Sequence, residues 1–402
     1  MRGRKPYTLS DHGSAGVSRM RSTLVRSVAL AVFGTRLPVL LVGALAATIV
    51  GTVPPPVAEA LWRVSPNELA NLLARWDTAY YYSIATEGYH WNPAIFVHEN
   101  VVFFPLYPLL MRGVGWLLGG STLLAGLLVS LGAFAGAMAL LYRLALLEIG
   151  EDYAWRVVLL ISTFPYALFF SAVYTESLFL FLSVGAFYAM RRGYLWRAAT
   201  LGLAAGLTRP NGYWLTLPLF LLARKIPDSA AHSSPPGAGS AGIAYVAACA
   251  PLAGVAIYSA YLEFRFHDAL AWLHGQAAWG VPLLGRPSAP DPPRLLNAWV
   301  VQPTEVVTWI GNILAFAAAA TSIRPATRQF GAAYGAWIAI NLFPPVATHL
   351  FMSLGRFTAV LFPFFFWLAV RIPRTRLVRT ATVFAACQLV LAAWFFLWRP
   401  VI

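Results

Sequence analysis

Long runs of apolar residues, separated by short polar turns, extend along most of this chain. A helix needs about 20 apolar residues to cross the hydrocarbon core of a bilayer, and the backbone groups inside that core must pair within their own segment. The pattern therefore predicts an all-α, polytopic membrane protein with about 11 transmembrane helices. The runs lie at 37–55, 121–147, 157–172, 177–190, 196–208, 212–224, 241–264, 303–322, 330–348, 356–371 and 379–398.

The segment 56–120, after the first run, has shorter helical patterns. We expect one amphipathic helix from Pro66 to Ala74 and a second from Asp77 to Glu87, with Asp77 near its N-terminal end, where an acidic residue is favoured. The segment Val101–Leu110 is apolar but contains two prolines. These features favour short interfacial helices that lie on the membrane rather than a further span.

Composition supports the membrane assignment, since 59% of the 402 residues are hydrophobic and only 11% are charged. Average soluble domains contain roughly 25% charged residues. The formal net charge of +14 would suggest nucleic acid in a soluble protein. In a membrane protein, the basic residues instead indicate topology, because loops rich in Lys and Arg remain in the cytoplasm. No nucleic-acid partner is therefore expected.

The basic turns define two faces. With the basic tail 1–36 in the cytoplasm, the turns near 148–156, 191–197, 224–240, 323–329 and 371–379 fall on the same side, and the last four each carry two or more basic residues. The remaining connections then share the extracytoplasmic face, and most of the unusual polar residues lie in them. These connections are 56–120, 171–176, 208–211, 265–302 and 348–356.

The predicted domain organisation is simple. Residues 37–402 form a single integral-membrane domain behind the cytoplasmic tail 1–36, and 56–120 is its first extracytoplasmic loop. The segment 225–240 is rich in Ser, Pro and Gly, which indicates a flexible cytoplasmic linker between two helical halves. No repeat relates the halves, which disfavours a transporter built from inverted repeats.

Asp77 is the first candidate catalytic residue. It follows Arg75 and Trp76 and precedes the aromatic run Tyr80-Tyr81-Tyr82. A partly desolvated carboxylate at the membrane surface can accept a proton from a hydroxyl nucleophile. The alternative from chemistry alone is an N-cap carboxylate paired with Arg75, and both interpretations remain open at this stage.

Two arginines and one acid on the predicted outer face are further candidates. Arg209 and Arg356 lie where positive-inside statistics disfavour arginine, and a planar guanidinium suits bidentate phosphate recognition. The alternative for each is snorkelling to the headgroup zone. Glu176 lies at a turn between two short apolar runs, and an acid near the bilayer is expensive. Bonding to sugar hydroxyls and pairing with an outer arginine are equally open roles for it.

The sequence does not predict a metal or cofactor. The outer histidines show no ligand spacing, so surface or core positions are the simpler account, and only His98-Glu99-Asn100 forms a weak candidate cation site. No phosphate-binding glycine loop and no serine or cysteine nucleophile motif is found. The histidines concerned are His90, His98, His267, His274 and His349.

Motifs occur in a fixed order from about residue 70 to residue 368: Arg75-Trp76-Asp77 with Tyr80-Tyr81-Tyr82 and Gly88-Tyr89, Phe103-Phe104-Pro105-Leu106-Tyr107-Pro108-Leu109, Tyr174-x-Glu176-Ser177, Gly206-Leu207-Thr208-Arg209-Pro210-Asn211-Gly212, and Gly355-Arg356-Phe357 ahead of Phe362-Pro363. Together these motifs resemble the PIG-V mannosyltransferase family. That family belongs to the GT-C superfamily of polytopic glycosyltransferases, whose donors are polyprenyl-phosphate sugars and whose catalytic acid lies in the first outer loop.

The resemblance implies a role for each candidate. Asp77 takes the position of the catalytic acid, which serves as the base for an acceptor hydroxyl in an inverting transfer from β-mannosyl phosphate to an α-mannoside. Arg209 and Arg356 are expected to bind the donor phosphate. The other expected substrate contacts are Arg75, Trp76, Tyr81, Tyr82, Glu176 and Asn211. For Trp76, Tyr81 and Tyr82, stacking on sugar faces and anchoring in the headgroup zone both remain open.

The expected partners are a polyprenyl-phosphate mannose donor, a lipid or glycan acceptor, and membrane lipids. In eukaryotes the family adds the second mannose to the glycosylphosphatidylinositol (GPI) precursor. The long basic N-terminal extension indicates a bacterial chain, so we expect the plasma membrane with an extracytoplasmic active site, or the ER membrane for a eukaryotic chain. Alternatives are transfer of another polyprenyl-phosphate sugar, a protein acceptor, a lipid-linked-sugar flippase or transporter, and an inactive scaffold.

Overall fold

A computed structural model describes residues 14–52, 67–94, 98–226, 241–279, 303–347, 353–399 and 401. Over these ranges the chain is helical and contains no strand, as the apolar pattern predicted. The α-helices are α1 (Ser14–Ala31), α2 (Leu37–Ile49), α3 (Thr78–Thr86), α4 (Leu106–Leu117), α5 (Thr122–Ile149), α6 (Glu151–Thr163), α7 (Glu176–Arg191), α8 (Leu195–Gly206), α9 (Thr216–Ala223), α10 (Ala241–Phe266), α11 (Ala271–His274), α12 (Pro303–Phe330), α13 (Ala332–Ala347), α14 (Leu354–Ala359), α15 (Phe362–Arg371) and α16 (Arg374–Phe396).

A π-helical turn and several 3-10 helices lie between these α-helices. A π-helical turn, Val32–Arg36, joins α1 to α2. The 3-10 helices are Ala70–Leu73, Asn100–Val102, Pro165–Ser171, Pro210–Leu215 and Gly275–Trp279. Most described helices share one core, in which α7 packs against α5 and α8, α8 lies along α10, α12 pairs with α13, and α16 packs on α2.

The helices identify a multi-pass membrane protein. Among the described residues, five helices are long and apolar enough to cross a bilayer, or six if α6 and the 3-10 helix after it form one broken span. A helix occurs at each of the predicted apolar runs, but several of them are shorter than a full span. The count of about 11 spans is therefore not confirmed.

Helix α2 has the exposed apolar surface that is expected of a helix in contact with lipid. Leu37, Leu41, Leu45 and Ile49 recur every fourth residue, and all are exposed. Residues four apart lie on the same face of a helix. An outward stripe of large aliphatic side chains is favourable in hydrocarbon and unfavourable in water.

The described part of the segment 56–120 forms short helices, as its sequence predicted. Helix α3 begins directly after Asp77 and ends at Thr86, close to the expected bounds. The expected helix from Pro66 to Ala74 is described only from residue 67 and is reduced to the 3-10 turn Ala70–Leu73. Helix α4, at the end of the proline-containing segment, has 12 residues and a length of about 18 Å, which is too short to cross a bilayer.

Three predictions fall wholly or partly on residues that are not described. Most of the tail 1–36 is described, but its first 13 residues are not. The linker 225–240 is described only as far as residue 226, and His349 also lies outside the described ranges. The division into a tail, a linker and one membrane domain stays a prediction.

A buried arginine supports the break after α6. Pro165 lacks an N–H, and the chain bends by 81° between α6 and the 3-10 helix Pro165–Ser171. A break of this kind leaves carbonyl groups without their helical donors. Arg36, only 1% exposed, donates to the Ser162 carbonyl at 2.6 Å and to the Ala167 carbonyl, one on each side of the break.

Two further contacts fix the guanidinium of Arg36. It lies 4.9 Å from the centroid of the Phe134 ring, and it donates to the side-chain carbonyl of Gln388 at 3.3 Å. Gln388 in turn donates to the Phe164 carbonyl at 3.0 Å. The π-helical turn before α2 and helix α16 therefore hold the bend from two sides. The bend leads directly into the segment that carries Tyr174 and Glu176.

We expect Arg36→Met to destabilise the protein by about 3 kcal/mol, because an unsatisfied buried carbonyl costs about 1–3 kcal/mol and the variant removes several donors at once. The measurement is the midpoint of thermal unfolding in detergent at one scan rate, followed by tryptophan fluorescence. Arg26→Met is the matched control, since Arg26 is exposed on α1, the helix that leads into the turn with Arg36. Equal midpoints for the two variants would contradict this role for Arg36.

Candidate active site

Asp77 lies at the N-terminal end of α3, but its side chain makes no capping hydrogen bond to that helix. Its backbone N–H donates to the Tyr174 hydroxyl at 3.1 Å. The residue before it, Trp76, has φ of 53°, a left-handed conformation that is rare for a bulky residue and concentrates at functional sites. Asp77 thus occupies the N-cap position, but its carboxylate does not cap the helix.

Arg356 on the short helix α14 is the partner of that carboxylate. Its Nη1 donates to Asp77 Oδ2 at 2.6 Å, and its Nε donates to Glu176 Oε1. The guanidinium lies 4.5 Å from the centroid of the Tyr174 ring, on which a planar cation is favourably placed. Arg356 therefore joins two acids that are 99 residues apart in the sequence.

Glu176 binds a second arginine. Arg209 Nη1 donates to the same Oε1 atom at 2.6 Å. Glu176 is fully buried at the first position of α7, where the helix dipole favours a negative charge. Its other oxygen, Oε2, has no hydrogen-bond partner among the described residues. Of the two roles left open for Glu176, the structure shows pairing with arginine, with both Arg209 and Arg356.

The four groups form an alternating chain of charges, from Asp77 through Arg356 and Glu176 to Arg209. Two carboxylates and two guanidinium groups give no net charge, which is the condition for burying ions at acceptable cost. Side-chain exposure is lowest at Glu176 and highest at Asp77. The side chain of Glu176 is 0% exposed, those of the arginines are 8% and 9% exposed, and that of Asp77 is 24% exposed. Of the two acids in this charge cluster, Asp77 therefore has the side chain that a substrate can reach.

Small residues allow these side chains to approach. A Cβ on Gly355 would lie 2.3 Å from the Tyr166 ring, so only glycine fits before Arg356. The Gly355 N–H also donates to Asn312 Oδ1 at 2.7 Å. A Cβ on Gly212 would lie 2.2 Å from the Ala205 carbonyl oxygen, which explains the glycine in the turn after Arg209.

Asn211 lies in the same turn as Arg209. Its Nδ2 donates to Asn341 Oδ1 at 3.0 Å, and Asn341 in turn donates to the Trp337 carbonyl at 2.9 Å. This amide pair joins the turn to α13 across the core. Contact of Asn211 with substrate stays a prediction.

Arg75 is almost fully buried and is used by the protein itself. Its Nε donates to the Phe396 carbonyl at 3.0 Å, at the end of α16, and its guanidinium lies 4.9 Å from the centroid of a Trp398 ring. It does not pair with Asp77, as the N-cap alternative required, because that carboxylate is bound to Arg356. Contact of Arg75 with substrate stays a prediction, and the contacts observed are structural.

The aromatic residues near Asp77 differ in exposure. Tyr81 is buried, and its hydroxyl lies 3.2 Å from Thr175 Oγ1. Trp76 is half-buried and packs against Trp398 with ring centroids 5.4 Å apart. Tyr82 is also half-buried. Sugar stacking by these residues stays a prediction, and Tyr81 is the least accessible of them.

Sequence reasoning missed two contributors. Tyr174 provides the ring beneath Arg356 and the hydroxyl that accepts the Asp77 N–H, and its place two residues before Glu176 was the available signal. Arg36 had no comparable signal, because an arginine within an apolar helix shows its partners only after folding.

The candidate cation site near His98 has another use. Asn100 is buried and donates to the Gly88 carbonyl at 2.9 Å. Its Oδ1 accepts a hydrogen bond from the backbone N–H of His90 at 2.8 Å. These bonds fix the conformation of the loop after α3. Among the residues that the structure describes, no group of three or more His, Cys, Asp or Glu side chains is placed to hold a metal ion.

Comparisons of the sequence with known proteins identify a family and several similar proteins. The family described as mannosyltransferase (PIG-V) matches residues 47–215. A GPI alpha-1,6-mannosyltransferase 2 from Rattus norvegicus is 34% identical over 151 residues, which are 35% of this chain and 29% of the rat protein. A GPI mannosyltransferase 2 from Drosophila pseudoobscura pseudoobscura is 32% identical over 171 residues, which are 38% of this chain and 36% of the fly protein.

The chain thus spans about a third of the length of the curated relatives it matches, 29% and 36% in these two cases. Both relatives come from animals, so they give no support to the expectation of a bacterial membrane. The family match includes Asp77, Glu176 and Arg209, whereas Arg356 lies beyond its end at residue 215. Over residues 47–215, the segment that supplies three of the four charged groups, this chain is PIG-V-like and resembles the mannosyltransferases of that family.

Proposed function

We propose that this protein transfers mannose from a polyprenyl-phosphate mannose donor to a hydroxyl group of a lipid or glycan acceptor, with inversion to an α-mannoside. The observation that carries the proposal is the position of Asp77. It is the accessible carboxylate of a charge cluster that also contains two arginines, and it lies in the segment that matches a mannosyltransferase family.

Asp77 acts as the base. The acceptor oxygen forms a bond to the anomeric carbon while its proton passes to the Asp77 carboxylate, and the bond from that carbon to the phosphate oxygen breaks. The leaving phosphate keeps the electron pair of the broken bond. It needs no proton at neutral pH, so nearby cations help more than a general acid, and Arg356 and Arg209 supply them.

The proposal extends to the membrane arrangement. A GT-C-like fold with about 11 spans would place the loop 56–120, and with it Asp77, on the extracytoplasmic face. Support comes from the basic turns, which the same topology assigns to the cytoplasm, and from helix α4, which is too short to cross a bilayer and has outward-facing Leu109, Trp116 and Leu117.

Asp77→Asn is expected to reduce the transfer rate by about 10² to 10⁴-fold, the usual contribution of a positioned base. The assay incubates purified protein with radiolabelled polyprenyl-phosphate mannose and a membrane lipid extract, and then identifies the labelled product. Glu87→Gln is the matched control, because Glu87 is an exposed acid at the other end of α3. Near-normal transfer by Asp77→Asn would remove Asp77 from the mechanism. Label found only in unchanged donor, with every protein, would favour a flippase or scaffold.

Arg209→Lys is expected to raise the apparent KM for the donor about tenfold, because an ammonium keeps the charge but cannot bond Glu176 and a phosphate as a planar fork does. Arg191→Lys is the matched control. Arg191 pairs with Glu148 at the opposite end of α7, so its replacement should leave the donor KM unchanged. A donor KM for Arg209→Lys equal to that of the control would assign Arg209 to structure alone.

A further inference from the structure

The ion pair between Asp77 and Arg356 conflicts with the proposed role of each residue. Oδ2 of Asp77 accepts a hydrogen bond from Nη1 of Arg356, so this oxygen is not free to take the proton of an acceptor hydroxyl. Each arginine of the cluster also bonds an acid of the protein, so no net positive charge remains to attract a phosphate. A change of partner at one bond would free the Asp77 carboxylate and offer a guanidinium N–H of Arg356 to the phosphate.

We infer that Arg356 exchanges partners when the donor binds, so that an oxygen of the donor phosphate replaces the Asp77 carboxylate on Nη1. The exchange frees Asp77 to act as the base. Glu176 is then a positioning residue, which holds Arg356 through Nε before and after the exchange. The inference rests on the proposed function and adds the order in which the site assembles.

The cluster has one bond suited to exchange. The bond from Nη1 of Arg356 reaches Asp77, whose side chain is 24% exposed, whereas the bond from Nε reaches Glu176, which is 0% exposed. Solvent and ligands can compete only for the first. The ring of Tyr174, beneath the guanidinium, keeps its plane in place while the partner changes.

Asp77 also has a separate attachment that survives the exchange. Its backbone N–H is held by the Tyr174 hydroxyl, so release of the carboxylate does not release α3. A sugar phosphodiester carries one negative charge, as does the carboxylate it replaces. The charge beside Arg356 is therefore unchanged, and the buried cluster stays neutral throughout.

This exchange predicts that the carboxylate of Asp77 competes with phosphate. Asp77→Asn should therefore bind a phosphate ligand more tightly than the wild-type protein, although the same variant loses transfer. Loss of the Asp77 charge would also tighten phosphate binding without any exchange, because it removes a nearby negative charge, but that effect would persist when Arg356 is replaced.

The test measures equilibrium binding of a short-chain prenyl monophosphate to the purified full-length protein in detergent. We expect about tenfold tighter binding by Asp77→Asn, the equivalent of one net hydrogen bond between charged groups. Glu87→Gln removes one negative charge from the same helix, but not from the cluster, and should bind as the wild type does. The thermal midpoint of each variant, measured alongside, verifies that it is folded.

A second pair of variants isolates the role of Arg356. In the Arg356→Gln background, adding Asp77→Asn should no longer change the affinity, because the shared partner is gone. Equal affinity of the wild type and Asp77→Asn for the prenyl phosphate would overturn the exchange while leaving the proposed function intact. If no variant and no wild-type protein bound this probe, both the exchange and the proposed donor would be wrong.

Discussion

The carboxylate of Glu176, bound by two guanidinium groups and sealed from solvent, is the interaction on which the site depends. It joins the first residue of α7 to the turn after α8 and to the short helix α14. Removing one member of such a buried cluster typically costs about 3–5 kcal/mol, because the remaining charges lose their compensation. The cluster therefore constrains three segments at once, and Asp77 is held at its accessible end.

Bends and left-handed residues place the side chains of the site where regular helices alone would not. The bend after α6 brings Phe169 and Tyr174 beneath Arg356, and Arg36 supplies hydrogen bonds to the carbonyls that the bend leaves free. Trp76 before Asp77 and Ser353 before α14 both adopt left-handed φ, at 53° and 61°. Such conformations persist only where surrounding contacts enforce them, and both lie within three residues of a charged group of the site.

The family match ends at residue 215, whereas the charge cluster also contains a residue beyond that point. Residues 47–215 supply Asp77, Glu176 and Arg209, but the arginine that connects the first two comes from α14, far along the chain. The likeness therefore covers the acids and one cation, and the remaining cation completes the cluster from outside the matched segment. In the proposed exchange, Arg356 keeps its bond to Glu176 and changes only the partner of Nη1.

The sequence by itself determined the helical class, the membrane setting, the start of α3 at Asp77 and the short motifs that carry the charged groups. These features follow from local composition and periodicity, which each segment shows without its neighbours. The count of about 11 spans stays a prediction, because helices such as α8, with 12 residues, and α7, with 16 residues, are shorter than the roughly 20 residues that a full crossing needs.

Only the tertiary structure decided which partner each charged group takes. The sequence left Asp77 between a cap and a base, and Glu176 between a sugar contact and an ion pair. Folding placed Arg356 between the two acids and directed Arg75 to the end of α16 instead. A guanidinium can pair with any acid within reach, so the choice depends on distances between segments that are remote in sequence, and those distances exist only in the packed structure.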